Sequence, residues 1–261
     1  NTIFCGSQTF NVDLNGRTGT ITHWTLQYRD LDSTPQWTSE STIYTADNTN
    51  NFNRTFSAAS SVRREYRLRA YVKSGVCNTK VAMKEFSIDP PSAVSNITGG
   101  TSFCGPGSRT YSISSRVGTV LRWQMRYKEA SQSSFPSSWT TITETDNITS
   151  VSPNLTVGTQ RRTYEIRVTV KSGVCSQVTK TTTVTVDPVV NAGSLSINRP
   201  GENDFCGSQT FNIDLNNYVG IIDKWSVRYR DLDESPNWTS ESVFINSDNA
   251  NNFNRTYTAP N

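Results

Sequence analysis

Few side chains in this sequence have the chemistry for catalysis or metal binding. His23 is the only histidine, so a Ser-His-Asp or Cys-His mechanism has a base in at most one part of the chain. A zinc site built on several histidines is excluded for the same reason. His23 lies beside Trp24 on the outward phase of an alternating segment, which predicts an exposed strand residue. The five cysteines, Cys5, Cys77, Cys104, Cys175 and Cys206, stand far apart without Cys-x-x-Cys spacing. Disulfides are therefore expected ahead of metal ligation.

Carboxylates cluster in the acidic turn Asp30-Leu31-Asp32, which returns as Asp231-Leu232-Asp233-Glu234. Asp30, Asp32, Asp231 and Asp233 are the candidate calcium ligands, because a hard cation wants several oxygens converging from one loop. Asp before Ser and Pro also makes side-chain-to-backbone turn bonds, and the intervening copy reads Lys128-Glu129-Ala130, with one carboxylate. Asp30 and Asp32 share one tight turn and do not flank a cleft, so a glycosidase pair is disfavoured. No catalytic residue and no cofactor is expected. Trp37, Trp139 and Trp238 follow proline-containing turns, which makes them either core residues or platforms for sugar rings.

These residues recur in register. Phe4-Cys5-Gly6 returns as Phe103-Cys104-Gly105 and as Phe205-Cys206-Gly207, at offsets of 99 and 102 residues. Nineteen positions after each of these cysteines stands a tryptophan: Trp24, Trp123 and Trp225. Lys73-Ser74-Gly75-Val76-Cys77 reappears unchanged as Lys171-Ser172-Gly173-Val174-Cys175. Self-similarity at a fixed period is the mark of a tandem array. We expect repeats at 1–90, 91–188 and 189–261, the third truncated before its counterpart of the Cys77 segment. Asp89-Pro90-Pro91 and Asp187-Pro188 mark the boundaries, and short proline-containing linkers favour a semi-rigid rod.

Composition agrees with many short strands. Apolar residues make up 34% and charged residues 18% of 261, and Thr, Ser and Asn fill much of the rest. Six tryptophans among 10% aromatic residues supply several thin cores. The net charge of +3 is too small to make nucleic acid the default partner. No stretch approaches the roughly 18 apolar residues of a membrane span.

Period-two alternation defines the strands. Trp24, Leu26 and Tyr28 point inward, as do Trp123, Met125 and Tyr127, and Trp225, Val227 and Tyr229. Tyr66, Leu68, Ala70 and Val72 form the inward face of a late strand, repeated as Tyr164, Ile166, Val168 and Val170. Units of about 100 residues with a tryptophan on an early central strand predict an all-β fold of tandem immunoglobulin-like sandwiches. Tyr66 precedes Cys77 by eleven residues, not by the two of antibody domains, so a bridge through the sandwich centre is not expected.

The order Cys-Gly, Gly-x-Ile or Gly-x-Val before Trp (Gly19-Thr20-Ile21, Gly118-Thr119-Val120), a second Trp, then Tyr-x-x-x-x-x-Val-Lys-Ser-Gly-x-Cys, resembles the immunoglobulin-like repeats of large secreted surface proteins of Bacteroidota. The resemblance implies export by the type IX system, a cell-surface location, and a role as adhesin, stalk or gliding-associated fibre. It implies no catalytic residue. With export comes an oxidising environment, and matching the repeats cysteine for cysteine gives the expected bridges Cys5–Cys77 and Cys104–Cys175, with Cys206 left unpaired. Expected partners are neighbouring repeats of the same long chain, and surface polysaccharide or another surface protein.

An anionic ligand has one candidate site. Arg29, Arg67 and Arg69 in the first repeat and Arg122, Arg126 and Arg167 in the second recur on the outward sheet face. Like charges stacked across strands cost stability unless they are screened or paired. The alternative to a surface fibre is a carbohydrate-binding accessory module of a secreted enzyme.

Overall fold

The computed structural model describes residues 2–31, 36–45, 48–144, 147–197, 207–230, 237–245 and 251–258. Every regular element among them is a strand. In the first repeat these are β1 (Thr2–Cys5), β2 (Gln8–Val12), β3 (Thr20–Asp30), β4 (Ser41–Tyr44), β5 (Phe52–Phe56), β6 (Arg64–Lys73) and β7 (Lys80–Asp89). The second carries β8 (Ala93–Val94), β9 (Ile97–Thr98), β10 (Ser102–Cys104), β11 (Gly107–Ser108), β12 (Tyr111–Ile113) and β13 (Arg116–Val117). It continues through β14 (Thr119–Glu129), β15 (Thr140–Thr143), β16 (Ser150–Val151), β17 (Asn154–Leu155), β18 (Arg162–Lys171) and β19 (Val178–Asp187). The third contributes β20 (Ser194–Ile197), β21 (Gln209–Asn216), β22 (Trp225–Val227), β23 (Ser242–Ile245) and β24 (Asn252–Tyr257).

Two compact units result. The first comprises Asn1–Thr101, Ser108–Asn154 and Thr163–Val184; the second comprises Ser102–Gly107, Leu155–Arg162 and Thr185–Asn261.

In the first unit a five-stranded sheet has the order β1-β7-β6-β3-β4 and lies across a core from the hairpin-like pair β2-β5. The long strands β3, β6 and β7 run antiparallel, while β1 joins the edge in parallel with β7. Alternation explains the core: Ile21, Trp24, Leu26, Tyr66, Leu68, Ala70, Phe86 and Ile88 are buried, with Val12 and Phe56 from the facing pair. Phe56 packs edge-on against both Tyr66 and Phe86 at 5.1 and 5.0 Å, the favoured geometry for aromatic quadrupoles. The buried Trp24 indole donates to Thr49 O at 2.8 Å, and Trp123 repeats that bond to Ile148 O at 2.8 Å. Tyr28 and Tyr127, expected inward, are 37% and 41% exposed. Each sits near the end of its strand, and the Arg64 guanidinium covers the Tyr28 ring at 4.1 Å. The strands of the second repeat have the same order, β10-β19-β18-β14-β15.

In the second unit β10 pairs in parallel with the end of β19, Cys104 opposite Asp187. An antiparallel sheet β20-β21-β24 and the pair β22-β23 complete it. Trp225 is only half-buried and meets Phe253 edge-on at 4.8 Å, and Tyr229, expected inward, is 62% exposed.

Candidate functional site

The cysteines pair differently from expectation. Cys5 is bonded to Cys175, 170 residues along the chain, and Cys77 and Cys104 are free and exposed. Sheet register explains why. Because β1 runs parallel to β7, Cys5 stands beside Asp89 at the far end of β7. The turn bearing Cys77 lies before Lys80, at the other end of that ten-residue strand, about 30 Å away at the rise of an extended chain. The same reasoning separates Cys104, opposite Asp187, from Cys175, which precedes Val178. Sheet register excludes a bridge inside either repeat. Cys206 lies outside the described residues.

Polar groups build a clasp around the Cys5–Cys175 bond, all within the first unit. Gly6 N donates to Asp89 O at 2.8 Å, fixing Cys5 at the end of β7. Arg63, on the approach to β6, grips the Asp89 carboxylate through Nε at 2.5 Å and a terminal nitrogen at 3.2 Å. The side chain of Asp89 is 3% exposed, so a planar two-toothed cation is the partner such a buried carboxylate needs. Into this frame comes the turn Lys171–Cys175 of the second repeat. Val174 N donates to Asp89 Oδ2 at 2.8 Å and Ser172 N to Ser92 Oγ at 2.8 Å. Cys175 N donates to Ser172 O at 2.8 Å and closes the turn. Gly173 has φ of 46°, and a β-carbon there would fall on the Asp89 carboxylate; only glycine lets the turn sit this close. Cys175 ends 2% exposed and Ser172 6%.

Neither Asp89 nor Arg63 stands out in the sequence, where Asp89-Pro90-Pro91 marks only a repeat boundary. The available signal was the recurrence of Arg63-Arg64 with Asp89-Pro90 as Arg161-Arg162 with Asp187-Pro188.

The expected basic ladder exists, but acids and tryptophans interleave it. Arg29 pairs with Glu65 at 2.6 Å, Arg67 with Glu85 at 2.7 Å and Arg69 with Glu40 at 3.0 Å. Cross-strand register is the cause, since Arg29 faces Glu65 and Arg67 faces Glu85. Arg29 and Arg67 also lie over the half-buried Trp37 ring at 4.7 and 4.1 Å. The first-repeat set is thus a neutralised stack and not an open anion site. Hydrogen bonds from Thr25 and Tyr71, and then Arg69, hold the Glu40 carboxyl below the usual carboxylate range.

The second repeat repeats the motif with fewer acids. Arg126 pairs with Glu165 at 2.6 Å, and Arg126 and Arg167 lie over Trp139 at 4.3 and 3.8 Å. Arg167 donates twice to Gln124 Oε1, at 3.0 and 2.8 Å. Burial, then repulsion from Arg122 and Arg126, lowers the Arg167 pKa. Trp37 and Trp139 therefore hold guanidinium groups where sugar platforms were considered, whereas Trp238 is 58% exposed with Arg230 at 5.0 Å from its ring.

Of the candidate calcium ligands, Asp30 gives both carboxylate oxygens to Arg64, at 2.7 and 2.9 Å, an arrangement that spends its charge on a structural pair. Asp32, Asp231 and Asp233 lie outside the described residues. Among the described residues no three His, Cys, Asp or Glu side chains come together as a metal site. His23 stacks on Tyr71 at 4.2 Å.

No family model matches the chain, and no curated protein matches it. Among solved structures it is similar to the crystallised FN1–FN3 domains of chicken CNTN1, at 12% identity over 95% of this chain and 86% of that one, with a TM-score of 0.35. It is also similar to a Ca2+-stabilized adhesin that helps an Antarctic bacterium reach out and bind ice. There the identity is 11% over 87% of this chain and 56% of that one, with a TM-score of 0.29. At those identities and scores the fold is read from strand order and core, which make the chain all-β and immunoglobulin-like.

Proposed function

We propose that the chain is a structural, load-bearing segment of an extracellular adhesin or surface fibre, with no catalytic role. The observation that carries this reading is the Cys5–Cys175 bond, which ties the start of one repeat to the last turn of the next. A bond in that position shields most of two repeats from extension, and a disulfide persists where the surroundings are oxidising. The neutralised arginine–tryptophan stack of the first repeat adds stiffness to its sheet face without demanding a ligand. The resemblance to type IX-exported surface proteins of Bacteroidota supports the same reading, with neighbouring repeats as the first partners and surface polysaccharide or another surface protein at the working end. The exposed Trp238 favours a second reading, a carbohydrate-binding accessory module.

Pulling single molecules from the two termini tests the proposal. With the bond intact, residues 5–175 stay out of the extended contour; a reductant should release about 600 Å of further length. Equal contour lengths with and without reductant would sink the load-bearing reading.

A further inference from the structure

The hairpin clasp has a second acceptor whose geometry repeats the first and whose cysteine is free. Cys104 stands opposite Asp187 in a parallel pairing, as Cys5 stands opposite Asp89. Gly105 N donates to Asp187 O at 2.8 Å, the bond that Gly6 makes to Asp89. Arg161 grips the Asp187 carboxylate at 2.6 and 3.3 Å, against 2.5 and 3.2 Å for Arg63 on Asp89. These are the residues that, one repeat earlier, receive Val174 N and bond Cys175. What differs is occupancy: the Asp89 side chain is 3% exposed beneath its turn, whereas that of Asp187 is 38% exposed. Val189 and Val190, at the positions of Pro91 and Ser92, lie bare beside it.

The complementary piece is also present. Lys73–Cys77 has the same sequence as the docked turn Lys171–Cys175 and the same closure, Cys77 N to Ser74 O at 3.0 Å. Gly75 has φ of 51° against 46° for Gly173. Docked, the pentapeptide buries its cysteine; undocked, it leaves Val76 102% exposed and Cys77 exposed.

We propose that Cys104, Asp187 and Arg161 form a second acceptor for a Ser-Gly-Val-Cys turn, and that in this chain a second copy supplies it through Lys73–Cys77. Val76 N then donates to Asp187 Oδ2, and Cys77 bonds to Cys104. One copy's acceptor and the other's turn are different surfaces, so the contact is head to tail and propagates. The oxidant is a small disulfide such as oxidised glutathione. It first caps Cys104 and releases one glutathione thiol; the Cys77 thiolate then attacks Cys104 sulfur and displaces the second. Two protein thiols lose two electrons and two protons, and one oxidised glutathione leaves as two glutathione thiols. The proposal rests on the load-bearing reading only through the Cys5–Cys175 bond, which the same digest reports.

Two single-site chains test it, each also carrying Cys206→Ser. The Cys77→Ser chain keeps the acceptor and the Cys104→Ser chain keeps the turn. In a glutathione redox buffer each alone should remain monomeric, and the mixture should give a one-to-one dimer whose digest contains Cys77 joined to Cys104. Asp187→Asn in the acceptor chain should slow dimer formation about tenfold, the worth of one charge-assisted hydrogen bond, while leaving the reaction of Cys104 with a small thiol reagent unchanged. Dimers forming as fast in either chain alone, or as fast with Asp187→Asn, would overturn the acceptor. A digest lacking the Cys5–Cys175 peptide would overturn the clasp itself, and with it the template for the second one.

Discussion

The Asp89 carboxylate accepts the Val174 amide at 2.8 Å across 85 residues of chain, while Arg63 holds the same carboxylate through both of its oxygens. A carboxylate so placed is both the floor of one repeat and the seat of the next repeat's turn. Asp89→Ala strands the Arg63 charge and the Val174 N–H together. Breaking a buried pair in this way costs about 3 kcal/mol, at the lower end of the range because Arg63 keeps some solvent contact. Urea unfolding of the oxidised protein measures it; a loss near zero would show that the seat carries no load.

Gly75 and Gly173 separate backbone strain from docking, because both have positive φ but only Gly173 faces the Asp89 carboxylate. Gly75→Ala should cost about 1 kcal/mol from φ alone. Gly173→Ala should cost clearly more and should slow formation of the Cys5–Cys175 bond during oxidative refolding. Equal effects at the two sites would contradict the close approach.

Cysteine replacement gives a third outcome. Closing a loop of 170 residues stabilises by about 5 kcal/mol in the chain-entropy model. Cys175→Ser should therefore lower the unfolding free energy by up to that amount, and Cys77→Ser should leave it unchanged. The within-repeat bridges expected from sequence alone predict a large effect from both, so one denaturation series distinguishes the two schemes.

Alkaline pH addresses Tyr111, which is 1% exposed and whose phenol is pushed up to about 12, first by burial. An unfolded tyrosine ionises near 10. With the folded value raised, the stabilisation is fully present below about pH 10 and is lost as pH rises from there through about 12. Absorbance titration should show Tyr111 ionising late, and Tyr111→Phe should remove that late component and flatten the loss of stability in that window.

Much of this architecture was legible in the residues themselves. Alternation in β3 and β6 identified Trp24, Leu26, Tyr66, Leu68 and Ala70 as core, because a pleated strand turns every second side chain to the same face. The same rule failed at Tyr28, near the end of β3 under the Arg64 guanidinium, and at Tyr229, which lies past the end of β22. Charge type on the outward face was legible too, but not its pairing: whether Arg67 meets Glu85 or solvent depends on the register between β6 and β7. The cysteines show the limit most clearly. Their recurrence in each repeat was plain, yet the repeat period says nothing of which end of β7 the first strand joins. Only the parallel pairing of β1 with β7 decides that, and by placing Cys5 a full strand length from Cys77 it leaves the next repeat's Cys175 as the sulfur within reach.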